Sequence, residues 1–213
     1  MYIAIDGVIG VGKTTLARLL QPAFSAELLL EVFEENPFLS DFYGDRARYA
    51  FQTQMFFLLS RYHQQKRAVP EALERGALIA DYTFAKDALF ARLNLTGDEL
   101  ELYHRLHDAL AERLPAPDLV VYLRAPTDLL MRRIAQRDRP YERQMERAYI
   151  ADLNHAYDEF FTTAQPHAPV LTVDIEPLDF LAHPDDLESI ARRIREALGL
   201  NTYQSPLPLG EAT

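Results

Sequence analysis

The chain opens on an apolar run, Tyr2-Ile3-Ala4-Ile5, passes through a glycine-rich stretch and resumes as the amphipathic segment Thr15-Leu16-Ala17-Arg18-Leu19-Leu20. A short strand, a loop and a helix are the elements this pattern predicts. Residues 26–31, Ala-Glu-Leu-Leu-Leu-Glu, read as a second strand ending on a carboxylate, and Glu34-Glu35-Asn36-Pro37 as a turn with acidic flanks. Residues 46–68 form a long helix candidate, which Phe51, Met55, Phe56, Phe57, Leu58 and Leu59 make apolar nearly all round, so burial is expected. Gln54 and Arg61 lie seven residues apart in it, hence on nearly one face. Buried polar groups need partners, and a ligand is one possible partner.

Residues 77–81 read as a third strand that again ends on an acid, Asp81. Thr96-Gly97-Asp98-Glu99 has the spacing of a capping box and opens a helix to about residue 114, stopped by Pro115 and Pro117. Residues 118–123 form a strand with almost no alternation, as expected where both faces are covered. Helices over 127–136, 141–163 and 184–198 and a fifth strand over 169–174 complete the pattern. Strands alternating with helices imply an α/β fold, a parallel sheet with helices on both faces and ligands at the carboxyl ends of its strands. Glu31 and Asp81 would then face the mouth of the glycine-rich loop. Residues 1–198 are expected to form a single domain, followed over 199–213 by a loose tail rich in glycine and proline.

Composition narrows the function. The absence of cysteine removes disulfides, thiolate chemistry and cysteine-based zinc sites. A net charge of −10 argues against a nucleic-acid polymer as partner, because such binding leans on a basic face. No run approaches the roughly 18 apolar residues of a membrane span, and the N-terminus enters a strand without a basic-then-apolar leader, so no membrane contact and a cytoplasmic location are expected.

The glycine-rich stretch Gly7-Val8-Ile9-Gly10-Val11-Gly12-Lys13-Thr14 fits G-x-x-x-x-G-K-[ST] in the strand–loop–helix context that a phosphate-binding loop requires. Gly7, Gly10 and Gly12 let backbone N–H groups turn inward around an anion, and the helix N-terminus presents its positive end. Lys13 would reach the outer phosphates, Thr15 would join the phosphate-binding set, and the Thr14 hydroxyl would sit on Mg²⁺. Asp81 is a candidate Mg²⁺ ligand, direct or through water, or else caps the following turn. Glu31 is a candidate base toward an attacking hydroxyl, with Glu34 and Glu35 as rivals. Arg132, Arg133, Arg137 and Arg139 cluster at the end of one helix, as the helix dipole favours. They can equally close as a lid and clamp a transferring phosphoryl group.

With these residues in view, the chain resembles the bacterial branch of the deoxynucleoside kinases as far as about residue 198. The matching pieces are EVFEENP from Glu31, YAFQTQMFFLLSR from Tyr49, DYTFAKDALF from Asp81 and RIAQRDRPYE from Arg133. The resemblance implies a P-loop kinase fold with a five-stranded parallel sheet and an arginine-rich lid, usually as a dimer, here taken as a homodimer. It implies ATP and Mg²⁺, a deoxynucleoside acceptor, and Glu31 as base toward the 5′-hydroxyl. Gln54 would read the base edge with Arg61 and Asp87 beside it, and Tyr43 and Glu142 would hold the sugar 3′-hydroxyl. Arg133, Arg137 and Arg139 would approach the phosphates, and Asp81 matches the acid of the family's Asp/Glu-Arg-Ser triplet.

The chain also departs from the family pattern. Tyr82 stands where most relatives carry the triplet's arginine, so the support that arginine gives must come from elsewhere or be missing. Val32 replaces a proline after Glu31, and Thr53 stands where some relatives place a base-stacking aromatic, with Phe90 as a possible substitute. The Asp-Tyr form of the triplet is similar to a subgroup associated with deoxyguanosine, which favours a purine acceptor without choosing between guanine and adenine. The alternatives are a nucleoside monophosphate kinase resembling thymidylate kinase, which needs cations on the acceptor side, and a nucleotide-dependent switch, for which no Asn-Lys-x-Asp segment is present.

Overall fold

The computed structural model describes residues 1–32, 35–163 and 168–200. Five parallel strands, β1 (Tyr2–Gly7), β2 (Ala26–Leu29), β3 (Ala77–Ala80), β4 (Leu119–Arg124) and β5 (Val170–Asp174), form one sheet in the order β2-β3-β1-β4-β5. The helices are α1 (Lys13–Phe24), α2 (Leu39–Gly44), α3 (Arg46–Arg75), α4 (Lys86–Asn94), α5 (Gly97–Ala111), α6 (Thr127–Arg137), α7 (Arg147–Thr163) and α8 (Pro184–Ala197).

The central strand β1 is buried at every position, which is why it reads as an unbroken apolar run. Its period of two still sorts the core. Tyr2 and Ala4 join Leu29, Leu78, Ala80, Val69 and Ala72 against the end of α3, while Ile3 and Ile5 join Leu16, Ala17 and Leu20 of α1 in the larger cluster. Because β3 and β4 flank β1 on opposite sides, the chain reverses direction across the sheet there, and a crevice opens beyond the strand ends.

The strand and helix order agrees with the pattern, but several boundaries shift. β2 and β3 end before Glu31 and Asp81, which therefore sit on the loops just beyond the strands. The Thr96 side chain makes no capping hydrogen bond, and α5 ends at Ala111. The expected helix over 141–163 is broken into a 3₁₀ turn, Pro140–Glu142, and α7. Helices α2 and α4 are additional to the sequence reading.

The largest difference is α3. It runs through Pro70 to Arg75, although proline removes one interior hydrogen bond, because Val69 and Ala72 beyond that point are buried on the sheet. It is also not buried all round: Leu59 is 43% exposed. The Asp45 side chain caps its start by accepting from the Arg48 amide. Of the expected tail, residues 201–213 lie outside the described residues.

Candidate active site

The turn after β1 is shaped by close approach. Gly7 has φ +144° and a Cβ there would come within 2.5 Å of the Leu123 carbonyl oxygen; at Gly10, with φ +85°, it would meet Ile134 at 2.9 Å. The loop therefore lies tight on β4 and α6 only because both positions lack a side chain. Lys13 folds back over it, donating to the carbonyls of Gly7 (2.7 Å) and Val8 (3.2 Å). Burial, with the Lys86 charge adding to it, pushes the Lys13 ammonium down to about 8.

Asp81 joins the two halves of the site. One of its oxygens accepts from the Thr14 hydroxyl and the other from the Glu31 amide at 2.7 Å. Behind it, Asp6 accepts from the Gly7 amide (2.8 Å), the Thr83 amide (3.1 Å), the Thr83 hydroxyl and Tyr157 (3.2 Å), which ties β1 to the loop after β3. A hydroxyl and a carboxylate side by side at a phosphate loop suit Mg²⁺, a hard cation that keeps several waters and takes few protein ligands. Among the described residues there is no group of three or more candidate metal-ligating side chains, so Thr14, Asp81 and phosphate oxygens are the set that fits.

Glu31 stands where the phosphate cleft meets the interior. One carboxylate oxygen accepts from Arg61 Nε (2.9 Å) and from its Nη2, and the other accepts from Lys86 Nζ at 2.6 Å. Burial alone would push the carboxyl up, but the Arg61 and Lys86 charges outweigh it and hold Glu31 well below the usual carboxylate range. Arg61 is itself nearly buried, ion-paired through its third nitrogen to Asp87 and seated on the Phe57 ring at 4.4 Å. The expected pairing of Arg61 with Asp87 is present, and Arg61 additionally holds Glu31. Of the rivals, Glu34 lies outside the described residues, and Glu35 is exposed on a turn.

On α3, two turns before Arg61, Gln54 is 2% exposed, and its side-chain oxygen has no protein partner among the described residues. A buried acceptor left open in this way points to a ligand donor. Thr53 beside it is buried too, and Phe90 packs edge-on against Tyr157. Tyr43 stacks on Tyr141 close to Glu142, and burial, then the charges around it, raise its phenol well above the ordinary value.

The phosphate cleft, about 660 Å³, is lined by Gly10, Gly12, Lys13, Thr14, Thr15, Glu31, Asp81, Arg133, Arg137 and Arg139 among the residues singled out from sequence. Gly7 lies behind the loop it shapes. Arg133 donates to the Val11 carbonyl (2.9 Å). Arg137 binds Glu142 with both ends of its guanidinium (3.1 and 2.5 Å), with Arg139 3.7 Å from the same carboxylate. Arg132 is exposed and does not line the cleft. Leu30, Val32, Gln136, Arg18 and residues 178–181 complete the wall; Arg18 and 178–181 were not legible, since no motif marks them. Lys86 was missed as well. A signal for it existed: only three of the 22 basic residues are lysine, and this one lies inside the DYTFAKDALF motif, beside Asp87.

A P-loop in one cleft with an anionic carboxylate held by two buried cations defines a nucleotide-dependent phosphotransferase. The chain belongs to the deoxynucleoside kinase family, whose model matches residues 3–199. It is 37% identical over 201 residues to deoxyguanosine kinase of Bacillus subtilis, covering 92% of this chain and 97% of that protein. It is 34% identical to deoxyadenosine kinase of Dictyostelium discoideum, over 81% of this chain and 71% of that protein. The structure of deoxyadenosine kinase from M. mycoides with bound dCTP superposes with a TM-score of 0.79 at 28% identity, covering 92% of this chain and all of that one (100%).

Proposed function

We infer that the protein transfers the γ-phosphate of ATP to the 5′-hydroxyl of a purine 2′-deoxynucleoside, giving the 5′-monophosphate. The observation that carries this reading is Glu31, a carboxylate held ionised on the wall of the phosphate cleft by Arg61, whose helix also carries the buried, open Gln54 acceptor. Deoxyguanosine and deoxyadenosine kinases among the relatives support a purine acceptor.

In this reading the backbone of residues 7–14 cradles the phosphates, with Thr15 beside it. Lys13 leaves the Gly7 and Val8 carbonyls for the outer phosphates, where an anion replaces two neutral acceptors. Thr14 and Asp81 would hold Mg²⁺, which would supply charge neutralisation on the phosphate oxygens; Asp81 itself accepts from Thr14 and from the Glu31 amide, which fixes both groups at the cleft. Glu31 accepts a hydrogen bond from the 5′-hydroxyl and takes its proton late. A loose transition state asks for orientation more than for a strong base, which suits a carboxylate of depressed pKa. Arg133, Arg137 and Arg139 neutralise charge on the transferred group. Gln54 reads the base edge beside the Arg61–Asp87 pair, and Tyr43 and Glu142 hold the 3′-hydroxyl. Both ends of Arg61 are committed to carboxylates, which leaves it unsuited to an acceptor phosphate and disfavours a monophosphate kinase.

A single catalytic domain over 1–198 and a homodimer belong to this reading. Leu59 on α3 and Leu102 and Leu106 on α5 are exposed on helices that pack together, which supports a second copy covering them. No helix among the described residues is long and apolar enough to cross a membrane. A cytoplasmic site of action is proposed, where ATP is abundant.

The test is ATP consumption with Mg²⁺ and, separately, deoxyguanosine, deoxyadenosine, deoxycytidine, thymidine and dTMP. Turnover of a purine deoxynucleoside, lost in Glu31→Gln, is expected. Turnover of dTMP alone overturns the acceptor assignment.

A further inference from the structure

Tyr82 occupies the place of the triplet's arginine, yet Glu31 does not lack a second cation. Lys86, four residues further on, is 4% exposed and reaches the carboxylate oxygen that Arg61 leaves open, at 2.6 Å. We propose that Lys86 is the positioning residue for Glu31, and that Tyr82 is the seat that makes this possible. The proposal rests on the phosphoryl-transfer reading above and adds to it a residue that neither the motifs nor the family pattern assigns.

Lys86 is held on three sides. Its ammonium lies 5.4 Å from the centroid of the Tyr82 ring, within cation–π range. Its backbone amide donates to the Thr83 hydroxyl at 3.2 Å, and Thr83 is bound to Asp6 next to the phosphate loop. Tyr82 is fully buried, and its hydroxyl donates to Gln64 (2.6 Å), whose amide donates to the Leu30 carbonyl (2.9 Å). Tyr82 therefore fixes the backbone next to Glu31, while its ring fixes the cation on the Glu31 side chain. An arginine at position 82 could still donate to Gln64, but it has no ring to offer Lys86 and would set a like charge beside the ammonium instead.

The consequence for Glu31 is orientation. Arg61 presents a planar fork that can take both oxygens of a carboxylate. Lys86 claims one of them and keeps Glu31 from rotating into a symmetrical pair with Arg61. The carboxylate stays edge-on to both cations, with lone pairs left for the acceptor hydroxyl. Without Lys86 the carboxylate remains charged but turns, so the loss falls on the chemical step rather than on binding.

Lys86→Met removes the ammonium and keeps most of the apolar stem. We expect kcat to fall by about 10- to 100-fold, the scale of a misplaced reacting group, while KM for ATP and for the deoxynucleoside changes by less than about threefold. Lys86→Arg is expected to recover a substantial part of kcat. In a Glu31→Gln background, Lys86→Met should cost nothing further, because the residue acts through Glu31. If Lys86→Met does not fold, Lys86→Gln, neutral and of similar length, is read in the same way. A kcat unchanged in the neutral variant, a loss confined to KM, or full additivity with Glu31→Gln overturns the proposal. These outcomes are separate from failure of the functional reading, which shows in the parent protein as absence of deoxynucleoside turnover.

Discussion

Glu31 links the two sides of the site: among the described residues it is the one carboxylate that both pairs with Arg61 and Lys86 and lines the phosphate cleft. Glu31→Gln keeps the shape and removes the charge, so kcat is expected to fall by about 10²–10⁴-fold, with ATP affinity nearly unchanged by equilibrium binding. Lys13 gives a pH prediction. Its ammonium, lowered to about 8, loses its proton in the free protein well below the ordinary 10.5. Between these values the unfolded chain holds the proton that the folded one has released, so this group's contribution to stability rises with pH, whereas phosphate binding weakens. Calorimetric titration should show ATP binding about tenfold weaker near pH 9 than near pH 7, as the binding-competent fraction shrinks. A flat affinity would mean that Lys13 stays charged. Gln54→Ala should raise the purine deoxynucleoside KM by roughly tenfold or more and blunt selection between bases, since a site built to bond an edge loses most when that bond is removed. Steady-state kinetics on two purines decide it.

Among the elements, the phosphate loop tolerates least. Gly7→Ala combines a positive φ with a Cβ 2.5 Å from the Leu123 carbonyl, so β1 and β4 must part or the loop must move. A loss of about 2–4 kcal/mol in urea unfolding is expected, from strain and overpacking together. Helix α3 carries residues for three tasks. Arg61 holds Glu31 with Gln54 buried two turns before it, Val69 and Ala72 pack on the sheet, and Leu59 is exposed. The shared face of Gln54 and Arg61 was legible from a seven-residue spacing alone, whereas the extension past Pro70 was not, because it depends on sheet packing rather than on propensity. Helix α6 ends at Arg137, which reaches to Glu142. The groups assigned to the sugar and to the phosphates are thus already linked by an ion pair, although the two were read from sequence as separate sets.

At the scale of the molecule, the expectation concerns assembly. Leu59, Leu102 and Leu106 are 43%, 48% and 37% exposed on neighbouring helices. Burying them against a second copy removes this apolar surface from water. Leu59→Glu combined with Leu102→Glu should shift the protein from dimer to monomer in analytical ultracentrifugation, raising the dissociation constant by about 100-fold or more. A parent protein that sediments as a monomer at all concentrations would remove the dimer from the functional reading.

The order of strands and helices, the parallel sheet and the phosphate cradle follow from local rules. Apolar runs without alternation become strands covered on both faces, and a glycine-rich turn between strand and helix makes an anion site wherever it occurs. The contacts that set the chemistry obey no local rule. Glu31 meets Lys86 across 55 residues and Arg61 across 30, because β3 lies between β2 and β1 and brings the loops beyond their ends together. Asp81 bridges Thr14 to Glu31 for the same reason. Which cation reaches which carboxylate oxygen is decided by strand order and by the three-dimensional direction of the side chains. Neither has a period that can be read along the chain.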